Sequence, residues 1–364
     1  MKKDLLGLSH SELVDFVVES GHKSFRAGQI ENWIYKKFEG DFSRMTDLGS
    51  DFRSMLEEKA RIGRMALLKE ESSPGGLTRK FLFSLPDGEQ IESALMRFFE
   101  PESKDRLTVC LSTQVGCAMG CKFCASGMSG FKRNLTAREM IEQVWHISSR
   151  LPDRERIGNV VFMGIGEPLL NYDECLHACR ILRAPERFGI GARHITISTC
   201  GIIPGIKKLA NEDIQVRLAV SLHSVDDELR SKLMPVNRKY PVRKLLSACR
   251  EYQEKTGRRV TFEYILIKEV NDTKKDAISL AKALSGIHTM VNIIPLNPVA
   301  EFRGKSPPKI RIRTFQKTLM EQGIKCVVRK ERGTSINAAC GQLRRFHVTG
   351  NNNEEVEKTS KGQK

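Results

Sequence analysis

Long apolar runs are missing from this sequence. No stretch approaches the length of a membrane-crossing helix. The opening MKKDLLGLSHSEL has two lysines but neither an apolar core nor a small-residue cleavage site, so it reads as the mature sequence of a cytoplasmic protein. Acidic residues are few relative to basic ones: 44 Asp and Glu stand against 60 Lys and Arg, a formal net charge of +16. That excess points to a polyanionic partner, most simply nucleic acid, against the plainer reading of a generally basic soluble protein. The charge is concentrated in RGKSPPKIRIR (Arg303 to Arg313), KCVVRKERG (Lys325 to Gly333) and the QLRRFH that follows. A disulfide framework is missing too. Of ten cysteines, Cys110, Cys175, Cys179, Cys200, Cys249, Cys326 and Cys340 are scattered, and only three cluster. In a long cytosolic chain such a cluster argues for a metal or for catalysis. With 40% hydrophobic residues in 364, the chain can build one large core plus an appendage.

The appendage comes first. SHSE (Ser9 to Glu12) is a capping box before an apolar-periodic helix that runs to about Ser20. Ile30, Trp33, Ile34 and Phe38 fall at helical spacing, and a third helix covers roughly Gly49 to Ala60. MALLKEES and RKFLFSLPDGEQIESALMRFF then read as strands, with PDGE (Pro86 to Glu89) turning a hairpin. This gives an expected N-terminal unit over 1–90, a core over 91–348, and a polar tail over 349–364 that reads as disordered. From Arg106 short apolar strands alternate with amphipathic helices: RLTVCLS, NVVFMG, HITIST, VRLAVSLHS, RVTFEYILI and MVNIIPLNP, closed by KCVVRKE. TAREMIEQVWHISS opens on Thr136 with Glu139 three residues on, and RTFQKTLMEQG is the last helix. The rhythm predicts an α/β fold with a mostly parallel sheet, an open (β/α)6 barrel whose chemistry sits at the carboxyl ends of the strands.

VGCAMGCKFCASG places Cys117, Cys121 and Cys124 at C-x3-C-x2-C in a loop after the first barrel strand. Thiolates are soft ligands that suit zinc or an iron–sulfur cluster. Zinc requires a fourth ligand, and no further Cys or His lies nearby in sequence. A cubane held by three cysteines leaves one iron open to a substrate or cofactor; coincidental cysteines are the remaining alternative. FMGIGEPLLN (Phe162 to Asn171) reads first as a tight strand-to-helix turn, and it fails as a dinucleotide fingerprint because Leu169 stands where a third glycine is needed. Ser198, SLH (Ser221 to His223) and Asn297 sit at strand ends, within reach of a nucleoside, although a histidine such as His223 is more often structural. Cys175, Cys179 and Cys249 fall inside helices and read as packing. Cys340, between Ala339 and Gly341, reads as an accessible thiol, and spacing alone does not bring it to Cys110.

The C-x3-C-x2-C spacing resembles the radical S-adenosylmethionine (SAM) superfamily. FRAGQIENWIYKKF, DGEQIES, CLSTQVGCAMGCKFCASG, FMGIGEPLLN, ITISTCGIIPGIKKLA, AVSLHS, RSKLMPVNRKYP, NIIPLNP and INAACGQL, in this order, resemble its RlmN/Cfr family of RNA adenosine methyltransferases, over residues 5 to 345. The resemblance implies a [4Fe–4S] cluster on Cys117, Cys121 and Cys124, and SAM held by Gly166, Glu167, Ser198, Ser221, Leu222, His223 and Asn297. It implies a methyl-carrying Cys340, Cys110 as its partner thiol, and Glu92 as proton acceptor. It gives a reason for two extra thiols: the target adenine carbon is electron-poor and cannot attack the methyl of SAM. One SAM would methylate the Cys340 thiolate, and a second would supply a radical that takes hydrogen from that methyl. After addition to the base, proton removal by Glu92 and attack of Cys110 on the Cys340 sulfur would release the methylated RNA and leave a disulfide. Pro168 in GEPLLN matches RlmN-like members, which methylate C2 in 23S rRNA and in tRNA beside the anticodon; Cfr-like members, which tend to carry alanine there, methylate C8 and confer antibiotic resistance. The resemblance further implies a flavodoxin-like electron donor; the lack of long apolar runs argues against a membrane partner, and a monomer is the expected state. A non-methylating iron–sulfur RNA-binding protein is the non-enzyme alternative.

Overall fold

The structure, a computed structural model, describes residues 2–98, 106–128, 130–297 and 302–329. Cys340, QLRRFH, the end of KCVVRKERG and the tail over 349–364 lie outside the described residues.

Three helices open the chain, α1 (His10–Glu19), α2 (Arg26–Tyr35) and α3 (Ser50–Lys59). The α1 capping box forms as read: Ser9 Oγ accepts from the Glu12 amide at 3.2 Å, and Glu12 Oε2 accepts from the Ser9 amide at 2.6 Å. The apolar stripe Leu13, Val17, Ile30, Ile34, Phe52 and Leu56 is buried. This unit is fastened to the rest by buried polar contacts rather than by a loose linker. Glu31 pairs with Arg187 at 2.8 Å, both sealed from solvent, and the Trp145 indole donates to the Ile34 carbonyl at 2.8 Å.

The remainder is one ten-stranded sheet. Its strands are β1 (Ala66–Ser72), β2 (Thr78–Ser84), β3 (Gln90–Phe98), β4 (Arg106–Cys110), β5 (Ile157–Phe162), β6 (Ile195–Thr199), β7 (Arg217–Ser221), β8 (Val260–Leu266), β9 (Thr289–Pro295) and β10 (Cys326–Val328). They lie side by side in sequence order. β1 to β4 pair antiparallel, and β4 to β10 run parallel. The crossovers carry α4 (Ala137–Ser148), α5 (Tyr172–Arg183), α6 (Ile203–Leu209), α7 (Asp227–Leu233), α8 (Val242–Thr256), α9 (Lys274–Leu284) and α10 (Lys309–Glu321). From β4 to β10 this is six β/α steps, the open parallel barrel that the rhythm predicts. Strand interiors such as Leu218–Ala219–Val220 are fully buried, as parallel strands covered on both faces must be.

Two local expectations shift. The hairpin around PDGE forms, but its strands hydrogen-bond into the central sheet through β3 and β4 instead of standing with the N-terminal helices. Alternation defines a strand without naming its neighbour, and β4 offered an edge. The last helix starts at Lys309, four residues before RTFQKTLMEQG, because Pro308 presets the backbone at its N-cap. Among the described residues no helix is long and apolar enough to cross a membrane.

Candidate active site

The cysteine loop grows from the carboxyl end of β4, and side chains from several elements fix its root. Gln143 on α4 accepts from the Ser112 amide at 3.0 Å, donates to the Ser112 carbonyl at 3.1 Å and accepts from Ser93 Oγ at 2.6 Å. Asn171 Nδ2 donates to the carbonyls of Thr113 and Leu135 at 2.9 and 2.7 Å. Gln114–Gly116 then pairs antiparallel with Phe131–Asn134, closing the loop at its base. Gly116 lies at φ +74°, and a Cβ there would stand 1.9 Å from the Gly130 carbonyl oxygen, so only glycine fits. The Cys117 amide donates to that same oxygen at 2.7 Å.

Within this frame the three thiols face an interior. Cys117 and Cys121 are 8% and 6% exposed, and Cys121 packs with Leu233, Met234, Ile265, Ile267 and Leu296. Burial pushes the Cys117 thiol up to about 12 and raises Cys124, whereas a hydrogen bond with the Cys200 thiol holds Cys121 below the ordinary cysteine range. Buried thiolates need a cation to be stable there. Among the described residues no three His, Cys, Asp or Glu side chains converge tightly enough to hold a single metal ion. Three soft ligands on one short loop, near enough to act on one another and with no fourth Cys or His of that loop beside them, fit an iron–sulfur cluster with one open corner better than a closed zinc site.

Around the loop stand the ends of β5 to β9. Gly164 lets the chain after β5 lie against β4, where a Cβ would meet Leu111 O at 2.5 Å. Gly166 takes φ +113° against Thr113 and Gln114. Glu167 is buried, and backbone donors occupy both its oxygens: Oε1 accepts from the Leu169 amide at 3.0 Å and Oε2 from the Cys200 amide at 2.6 Å. Burial raises its pKa. Ser198 and Ser221 are half-buried at the ends of β6 and β7, and Leu222 is buried. His223 adopts φ +59° and is buried. Its Nδ1 accepts from the Ile265 amide at 3.1 Å, and its ring meets Phe123 of the cysteine loop edge-on at 4.9 Å. Burial drops its pKa to about 3, so the ring is neutral with its proton on Nε2. Asn297, just past β9, has a buried Oδ1 with no hydrogen-bond partner among the described residues. Such an acceptor fits a donor from a bound molecule, as the SAM assignment requires.

The register of β2 to β4 brings the other candidates together. Lys80, Ala94 and Cys110 are successive partners across these strands. Glu92, two residues from Ala94, shares their face. Lys80 Nζ lies 3.3 Å from Glu92 Oε2, each side chain 4% exposed. Burial pushes the Cys110 thiol up to about 11, offset in part by the positive charges of Arg329 and Lys80. Cys340, their expected partner, lies outside the described residues.

Several positioning residues escaped the sequence reading. Arg230 on α7 is fully buried and donates to the carbonyls of Leu222, Cys200 and Ser221 at 2.9, 2.8 and 3.0 Å, tying the ends of β6 and β7 together. Asn271 does the same for β7 and β8, donating to His223 O and Ile265 O at 2.8 Å each. Spacing carries no signal for either. Lys80 did leave one: it shares the inward phase of β2 with Thr78 and Leu82. Cys200, assigned no role from sequence, touches the Cys121 thiol.

Residues 111–281 match the radical SAM superfamily, and residues 3–62 match the ribosomal RNA large subunit methyltransferase N-terminal domain. The chain is 47% identical to a probable dual-specificity RNA methyltransferase RlmN of Moorella thermoacetica, over 94% of this chain and 97% of that protein. A protein of the same description from Thermotoga neapolitana is 46% identical over 94% and 97%. Among solved structures, a radical SAM methyltransferase from Sphaerobacter thermophilus superposes with a TM-score of 0.89 at 44% identity, covering 93% of this chain and 98% of that one.

Proposed function

The chain belongs to the RlmN family of radical SAM RNA methyltransferases, and from that membership we propose that it methylates C2 of an adenosine in 23S rRNA and in tRNA next to the anticodon, through a methyl-cysteine on Cys340. The family works with a [4Fe–4S] cluster and SAM, which when bound supply the methyl group and the carbon radical that removes hydrogen from it.

The chain's own residues do the rest. Cys117, Cys121 and Cys124 hold the cluster in a loop closed by the Gly116–Gly130 contact. Gly166, Glu167, Ser198, Ser221, Leu222, His223 and Asn297 form the SAM pocket. Glu167 serves it by bracing the ends of β5 and β6, and Asn297 Oδ1 serves it by accepting a hydrogen bond. With the adduct's unpaired electron returned to the cluster that Cys117, Cys121 and Cys124 would hold, Glu92 would take the ring proton and Cys110 would attack the Cys340 sulfur; the C–S electron pair would leave with the methylene carbon, which takes up a proton to become the methyl group as the disulfide forms. The observation that carries the reading is the shared face of Lys80, Glu92 and Cys110, an acid–base group and a thiol beside one buried cation. A thiol held near 11 stays protonated at rest, and the two nearby cations favour its thiolate when it must act. A flavodoxin-like protein fits as electron donor, and the N-terminal helices and the basic residues near 303–332 fit as RNA contacts.

Nucleoside mass spectrometry tests this. Large-subunit rRNA and tRNA from cells lacking the gene should lose 2-methyladenosine, with recovery by wild type but not by Cys340→Ala. A change confined to 8-methyladenosine would move the enzyme to C8 chemistry, and no change in either would refute the proposal.

A further inference from the structure

The chemistry lies at the carboxyl ends of the strands, and the opposite rim of the sheet carries a regular feature of its own. Five consecutive parallel strands each have an arginine at their first residue or within the two residues before it. Arg106 opens β4, Arg156 precedes β5, Arg193 lies in the helical turn Ala192–His194 before β6, Arg217 opens β7 and Arg259 precedes β8. Parallel strands stand about 4.8 Å apart, so this row spans roughly 19 Å. Leu218 pairs with Val260, so Arg217 and Arg259 are neighbours at the rim.

Not all of these arginines serve the fold alone. Arg156 donates to the carbonyls of Asp153 and Glu155, and Arg106 lies over the Phe98 ring at 5.1 Å. Arg193, Arg217 and Arg259 form no ion pair with any described carboxylate. Burial and then the charges of Arg259, Arg106 and Arg193 lower the pKa of Arg217, so these cations stand close enough to repel one another. Beside them is a cleft of about 490 Å³ lined by Gly191, Ala192, Arg193, His194, Gln215 and Arg217, which holds guanidinium, imidazole and amide groups and no carboxylate. An anion bound among Arg193, Arg217 and Arg259 would relieve this repulsion.

We infer that this amino-terminal rim is a second RNA contact, a track for a phosphodiester backbone with Arg193, Arg217 and Arg259 as its phosphate ligands. The inference rests on the RNA methyltransferase reading. A row of this length suits successive phosphates better than one small anion, and the planar guanidinium fork matches phosphate oxygens. β8 has 7 residues, about 23 Å at 3.3 Å each, so a folded RNA engaged at the mouth can reach the rim along the flank of the barrel. A contact of this kind supplies affinity and orientation without reading sequence.

The test compares reconstituted wild-type holoenzyme with the triple variant Arg193→Gln/Arg217→Gln/Arg259→Gln and with the charge-keeping Arg→Lys triple. Binding of full-length tRNA transcript is measured by fluorescence anisotropy across a salt series, and methylation is measured on that transcript and on a minimal stem–loop carrying the target adenosine. Loss of three phosphate contacts should reduce the slope of log K against log[salt] by about 2–3 and weaken binding at 0.1 M salt roughly 10–100-fold. The lysine triple should keep most of the slope. The stem–loop, too short to reach the rim, should be methylated equally by all three proteins. An unchanged slope and affinity for the transcript would overturn the inference. So would an unchanged slope accompanied by slower reduction by a flavodoxin, which would make the rim a protein-docking surface, or by loss of inorganic phosphate binding alone, which would make it a small-anion site. A wild-type enzyme that methylates neither RNA would sink the functional reading itself, a separate failure.

Discussion

Lys80→Met removes one partner of an ion pair inside the sheet. At 3.3 Å the Coulomb attraction between Lys80 and Glu92 is about 5 kcal/mol at an effective dielectric of 20, and desolvating both groups offsets much of it. Removing only the cation is different, because a carboxylate 4% exposed loses the Lys80 charge that stands 3.3 Å from it. The expected cost is roughly 3–5 kcal/mol. For a chain of 364 residues, at about 2.1 cal/mol/K of unfolding entropy per residue, that lowers the unfolding midpoint by roughly 4–7 °C. The backbone should stay in place, since Ser112 Oγ holds the Glu92 carbonyl at 2.6 Å. The double variant Lys80→Met/Glu92→Gln removes both charges and should recover much of the loss, leaving a coupling of at least about 2 kcal/mol. Thermal and urea unfolding of the four proteins of this cycle gives the number. A single-variant cost below about 1 kcal/mol, or strict additivity in the double variant, would refute the claim that a buried charge pair organises this face.

Other expectations follow from the same site. The folded pKa of His223, about 3, lies below the unfolded value near 6.5, so the unfolded chain takes up a proton that the folded one refuses. The stability this gives is complete above pH 6.5 and falls by roughly 2 kcal/mol between pH 7 and 5; His223→Asn, which tolerates the positive φ, should lose that component of the pH dependence in urea titrations. Gly164→Ala puts a methyl into the Leu111–Ser112 backbone and should cost about 1–3 kcal/mol while lowering iron retained per chain; a stable, fully loaded protein would contradict the close approach. Arg230→Met leaves the carbonyls of Cys200, Ser221 and Leu222 without this donor and should weaken SAM binding in calorimetry at least tenfold with cluster iron retained; unchanged affinity would show that the β6 and β7 ends do not shape the pocket.

Legibility in the sequence followed the range of the forces involved. Capping boxes at Ser9 and Thr136 involve residues three apart, and both form as read. The strand–helix rhythm reflects burial on one face or two, and it located the loop of Cys117, Cys121 and Cys124 at the end of a barrel strand. Pairing partners are set by tertiary edges, so the hairpin of β2 and β3 was found while its place in the sheet was not. Arg230 and Asn271 act through carbonyls on strands distant in sequence, and an arginine in DELRSKL looks like any exposed helical charge until the fold surrounds it. Lys80 was visible in principle, as a charge in the inward phase of a strand, a local conflict of the kind that marks a working site.

The strictly consecutive order of the ten strands has a consequence for how the molecule is made. Each strand docks beside the one synthesised just before it, so most closures are short and the sheet can grow in the direction of translation. The cysteine loop, its base hairpin and the Lys80–Glu92 face belong to the first half of the chain; Asn297 and Cys340 come in the last fifth. The cradle for the redox-active group can therefore take shape on the ribosome while the thiol that carries the methyl is still to be translated. Assembly order itself would then keep the reactive cysteine from meeting the ligand thiols before their positions are set.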